Sequence, residues 1–142
     1  MRNDEVFVKR LTNEWIAHDK LIVAVDFDDT IFPWGLFSQE YCDELISFLK
    51  WIKTVGAYIV IFTASDKKRY KEIRDYCSDK GLPIDSINKN PIDLPYGKEG
   101  KIYYNIFLCD RAGLTASREI LEKAAENYLD YKNLKSNLTD VA

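Results

Sequence analysis

Apolar positions along the chain fall into two rhythms. Residues 4–18 place Phe7, Leu11 and Trp15 at steps of four, the spacing of an amphipathic helix. Leu21 to Val25 then form an unbroken apolar run that ends at Asp26. So short and β-branched a run predicts a strand buried on both faces of a parallel sheet. Ser38 can cap a helix with Tyr41, Leu45, Phe48, Leu49 and Ile52 on one stripe, stopping before Gly56. AYIVIFT (57–63) reads as a second buried strand. A third helix starts at Ser65 or Asp66 and ends at Lys80, with Gly81 as its left-handed stop and Pro83 beyond.

A short strand around 84–87 follows, then a loop rich in Asn, Pro and Gly from Asn88 to Gly100. IYYNIFLC (102–109) gives the last strand, and Thr115 caps a helix to about Tyr131. The tail, NLKSNLTDVA, is too poor in apolar residues for an assignment. Alternating strands and helices predict an α/β fold, a three-layer Rossmann-like parallel sheet of order 3-2-1-4 with helices on both faces. One domain spans 1–142: an N-terminal helix (1–19), a core (20–131) and a tail (132–142).

Bulk properties narrow this little. At 142 residues there is room for one ordinary domain, and 46 % hydrophobic with 30 % charged residues is a globular balance. No apolar run approaches the ~20 residues of a spanning helix, and the charged N-terminus does not resemble a secretory signal. Three cysteines without metal-ligand spacing point to a reduced, cytoplasmic setting. A net charge of −3 gives no sign of a basic wrap around nucleic acid.

The chemistry gathers where strands end, the place where ligands bind in such sheets. Asp26 and Asp28 follow the first strand, Thr63 the second and Asp110 the last. Two carboxylates at one strand end repel unless a cation joins them, and a hard divalent ion, Mg²⁺ above all, suits oxygen ligands. The Thr63 hydroxyl can donate to an anion without adding charge, beside the N–H groups that open the next helix. Asp110 would complete the metal's protein ligands.

DFDDT (26–30) resembles the first motif of the haloacid dehalogenase superfamily, an apolar strand followed by D-x-D-x-T, at every fixed position. The resemblance implies Asp26 as nucleophile and Asp28 as general acid and base. Members that attack carbon lack the second Asp, so Asp28 points to phosphoryl transfer. Asp29 stands where the family often has Gly. The family's second motif falls on Thr63, its lysine on Lys101 in preference to Lys98, and its fourth motif on FLCDRAGL (107–114). The implied catalytic set is Asp26, Asp28, Thr63 and Lys101. The phosphate site is Asp28, Asp29, Thr63, Ala64 and Lys101, and the metal ligands are Asp26, Asp28 and Asp110. Many relatives, including the phosphatase part of polynucleotide kinase-phosphatases, carry two adjacent acids before Arg in that motif. Here Cys109 takes the first place, and a thiol is a poor ligand for Mg²⁺.

Other polar residues read as structure. Lys67, Lys68, Arg69 and Lys71 form a charge run expected to be a solvated face, with only Lys67 near enough to help bind an anion. Arg111 fits an ion pair under the site as well as a substrate contact. His18 reads as a helix-end histidine, and Trp51, Tyr103 and Tyr104 as core or rim. Relatives commonly insert a cap domain, but Ile31 to Phe37 leave room only for a flap. A capless site implies a large substrate that acts as its own lid, or a partner chain, such as a second copy, over the mouth. Trp34 in the flap reads equally as packed or as a base-stacking residue.

The expected function is thus Mg²⁺-dependent hydrolysis of a phosphomonoester, a nucleotide or polynucleotide end being the substrate suggested, with no membrane partner. The alternatives are a silent phospholigand- or protein-binding module and a phosphotransferase or phosphomutase.

Overall fold

The structure, a computed structural model, describes residues 3–95 and 102–140, the side chains of 139 and 140 excepted. Its elements run α1 (Glu5–His18), β1 (Leu21–Asp26), α2 (Gln39–Gly56), β2 (Ala57–Phe62), a 3-10 turn (Lys67–Arg69), α3 (Tyr70–Asp79), β3 (Ser86–Ile87), β4 (Ile106–Leu108) and α4 (Leu114–Asp140). The strands form one sheet of order β3-β2-β1-β4, all pairs parallel, so the chain has the expected α/β fold and strand order.

Local chemistry explains the boundaries. Ser38 Oγ accepts the Tyr41 N–H and opens α2. Asp19 closes α1 in the left-handed region (φ 56), where its N–H donates to the Trp15 carbonyl. Gly81, at φ 71, takes the left-handed position after α3. Asp66 accepts the Lys68 N–H at the start of the 3-10 turn. β4 is shorter than the 102–109 run suggests. Before it, Asn105 copies a strand partner: its N–H donates to the Ile22 carbonyl while its side-chain oxygen accepts the Ile22 N–H. The unassigned tail is helical as far as Asp140, so α4 has 27 residues, about 40 Å at 1.5 Å per residue.

The expectation of helices on both faces needs correction. Leu21, Val23, Val25, Ala57, Ile59 and Ile61 share one core cluster with buried side chains of all four helices. Ile22, Ala24 and Val60, buried on the opposite face, stand outside that cluster. On that side Phe62 lies 5.2 Å from Phe107 and 5.6 Å from Tyr104, ring to ring. The physical reason lies in the crossover from β3 to β4, which would bring a helix to the second face. Among the described residues it contains none, and those residues form two layers.

Candidate functional site

Register brings the ends of three strands level. Asp26 is paired with Phe62, so Thr63 lies one step beyond on β2. Val25 is paired with Leu108, so Cys109 follows beside Asp26 and Asp110 comes next. The Asp26 and Asp110 carboxylates and the Cys109 thiol offer ligand atoms that all lie within 4.8 Å of one another. Cys109 Sγ is 3.6 Å from Asp26 Oδ2 and 3.9 Å from Asp110 Oδ1. Burial raises Asp26 from the ordinary 3.8 to about 6, and the adjoining Asp110 adds to the shift through a hydrogen bond and its charge. Burial also raises the Cys109 thiol, which stays protonated between the two acids.

Thr30, fully buried, fixes this arrangement. Its hydroxyl donates to Asp110 Oδ1 at 3.3 Å and lies 3.2 Å from the Asp110 N–H, which it accepts. The fifth residue of the D-x-D-x-T pattern therefore ties the turn after β1 to the end of β4. That turn is wound about the Phe27 carbonyl, which accepts N–H groups from Thr30, Ile31 and Phe32.

Asp28 goes elsewhere. Its carboxylate is held by Arg69 through two bonds, Nη2 to Oδ1 at 2.8 Å and Nη1 to Oδ2 at 2.7 Å, while Nη1 also donates to Ser65 Oγ at 3.0 Å. The guanidinium lies 5.2 Å from the Phe27 ring, 5.6 Å from Phe32 and 4.9 Å from Trp34, a stacked geometry natural to a planar cation. Arg69 corrects the reading of its charge run as solvated, since its side chain is only 15 % exposed. Its place at the first turn after β2, four residues past Ser65, brings it within reach of the strand ends, a position that Lys67 and Lys68 share in sequence.

The remaining expected residues are spread around this centre. Thr63 is half-buried, and its hydroxyl accepts the Ser65 N–H at 3.1 Å, leaving its own proton free to donate. Asn88 clamps Thr63 from β3: its Oδ1 accepts the Thr63 N–H at 2.9 Å and its Nδ2 donates to the Thr63 carbonyl at 2.7 Å. Ala64 follows, exposed. Asp29, at φ 54, accepts the N–H groups of Trp34 and Leu36 on its carboxylate and donates its own N–H to the Phe32 carbonyl. Those backbone donors, Leu36 first, hold its carboxyl below the usual range. Asp29 thus shapes the flap, and neither of these groups is free for a phosphate. Lys98 and Lys101 lie outside the described residues. Arg111 is exposed, and His18 sits in the last turn of α1.

The structure therefore joins Asp26 with Asp110, adds Cys109 to them, and pairs the Asp28 carboxylate with a cation instead. No helix among the described residues is long and apolar enough to cross a membrane. Compared with known proteins, the chain matches no family model, no curated protein and no solved structure.

Proposed function

We propose that this chain is a Mg²⁺-dependent phosphomonoester hydrolase of the capless haloacid dehalogenase type, working through an aspartyl-phosphate on Asp26. The observation that carries the reading is the meeting of the Asp26 and Asp110 carboxylates at the ends of neighbouring strands. Burial and the neighbouring Asp110 make the Asp26 carboxylate costly to ionise alone, and a divalent cation between the two half-buried acids relieves that cost. One or two carboxylates with several waters is the usual protein share of a Mg²⁺ site, so Asp26 and Asp110 fit it, while the Cys109 thiol does not. When bound there, the ion would offset the charge of carboxylate and phosphate together.

The chain's own residues account for the rest. A carboxylate oxygen of Asp26 attacks phosphorus, and the bond to the leaving oxygen breaks. Asp28 gives that oxygen a proton, then takes one from the water that attacks phosphorus and frees Asp26. Asp28 cannot move protons while Arg69 holds both its oxygens. Arg69 must therefore let go, and a phosphoryl group offers it the same bidentate partner. Thr63 donates its free hydroxyl proton to a phosphoryl oxygen. The mostly exposed Trp34 beside Arg69 suits a substrate with a nucleobase.

Turnover of p-nitrophenyl phosphate with Mg²⁺ tests the reaction. It should vanish with EDTA and in Asp26→Asn. A second reading is a silent phospholigand-binding module, favoured by Cys109 in the acid cluster and by the Arg69 hold on Asp28. No turnover across a broad phosphate-ester panel, with phosphate binding retained, would select it. Transfer to an acceptor other than water would appear in the products.

A further inference from the structure

Beside the strand ends, between α3 and β3, lies a cavity of about 540 Å³. Lys67, Arg74 and Lys89 face it, with Tyr70 and Asn88 among its polar lining. All three cations are exposed, and among the described residues none is paired with a carboxylate. In a chain of net charge −3 that grouping is unexpected. The cavity's one carboxylate, Asp85, is already spent: it accepts the Lys53 ammonium and the Ile59 N–H. Three like charges around one hollow repel each other unless an anion settles among them.

A chain of hydrogen bonds links the wall of the cavity to the proposed active site. Asn88 on its wall clamps Thr63 and donates to the Tyr70 hydroxyl at 2.9 Å. Thr63 meets Ser65, Ser65 meets Arg69, and Arg69 meets Asp28. β3 stands two places from β1 in the sheet, a span on the order of 10 Å at strand spacing.

We infer that this cavity binds a second phosphate of the substrate, so that the chain takes phosphomonoesters carrying another phosphate group. The inference rests on the proposed phosphate site at Asp26 and adds the substrate class. The second phosphate has two sources, a small bisphosphate or the next phosphodiester of a nucleic-acid end. The same three cations serve either.

Calorimetry on the full chain with Mg²⁺, in the Asp26→Asn background that prevents turnover, tests this with three probes: adenosine 5′-monophosphate, adenosine 3′,5′-bisphosphate and a 5′-phosphorylated oligothymidylate. The bisphosphate should bind more tightly than the monophosphate. Arg74→Gln with Lys89→Gln should weaken the bisphosphate about tenfold and leave the monophosphate unchanged. Both substitutions are on exposed side chains, and an unchanged Tm confirms that the variant is folded. An oligothymidylate that weakens more than the bisphosphate identifies a polynucleotide end as the source; the reverse identifies a small bisphosphate. Equal affinities for mono- and bisphosphate, or equal losses for both, overturn the inference. Turnover of p-nitrophenyl phosphate without any bisphosphate preference sinks this inference alone, whereas bisphosphate selectivity in a wild-type chain that hydrolyses nothing sinks only the hydrolase reading.

Discussion

Arg69 and Asp28 form a two-pronged ion pair, with both carboxylate oxygens bound at 2.7 and 2.8 Å, although 41 residues separate them. Asp28 is one of the two acids of the D-x-D pattern, so the pair decides where that acid points. With side chains 15 % and 32 % exposed, the two charges are only partly screened by solvent. Arg69→Gln should cost about 2 kcal/mol in urea unfolding. A double-mutant cycle with Asp28→Asn should give a coupling above about 1 kcal/mol. Arg69→Lys should recover only part of it, because an ammonium cannot bind both oxygens in one plane.

A second prediction follows from Asp26. Its folded value, raised to about 6 from 3.8, means that the folded chain holds this proton more tightly than the unfolded one. The contribution to stability is then fully present below about pH 4 and is lost as pH rises toward about 6. Asp26→Asn removes the titration. Without divalent metal its Tm should exceed that of wild type at about pH 7, and the gap should close at about pH 4. Thermal unfolding across that range reads the effect directly.

Cys109 offers a third test. Replacing its protonated thiol with a carboxylate (Cys109→Asp) packs three acids into one small cluster. The Tm without metal should fall by several degrees. Mg²⁺ should then raise it by more than it raises wild type, because the new ligand is hard. Differential scanning fluorimetry with EDTA and with Mg²⁺ separates the two effects.

Asn88 holds the Thr63 backbone at two points while sitting at φ 53. Asn88→Ala loses both bonds and strains the left-handed backbone, whereas Asn88→Gly loses the bonds alone. Alanine should therefore be worse than glycine by about 1 kcal/mol in urea unfolding.

What the sequence disclosed follows from how local each feature is. The run Leu21–Val25 could be read as a buried strand because all five residues are apolar, and Asp26 was marked by standing at its end. The parallel sheet followed from alternating strands and helices, which imply right-handed crossovers. Arg69 was hidden because a Lys67–Lys71 charge run looks the same whether it faces water or turns back onto a strand end. Only the three aromatic rings that converge on it distinguish the cases, and Phe27, Phe32 and Trp34 come from a different segment. The one-sided helix layer was equally hard to see: β1 reads as buried throughout whether helices or loops cover its second face. The tail of α4 escaped because Leu134 and Leu138 are exposed, so its helix carries no apolar stripe toward the core.

The most direct test of the account is to trap the bond it requires. Wild-type protein is mixed with Mg²⁺ and a phosphomonoester, then quenched with borohydride, which reduces an aspartyl-phosphate to homoserine. Peptide mass spectrometry should find homoserine at position 26 and none when substrate is withheld. Phosphate release without that product at residue 26, or with homoserine at a different aspartate, would contradict the assignment of Asp26 as the nucleophile.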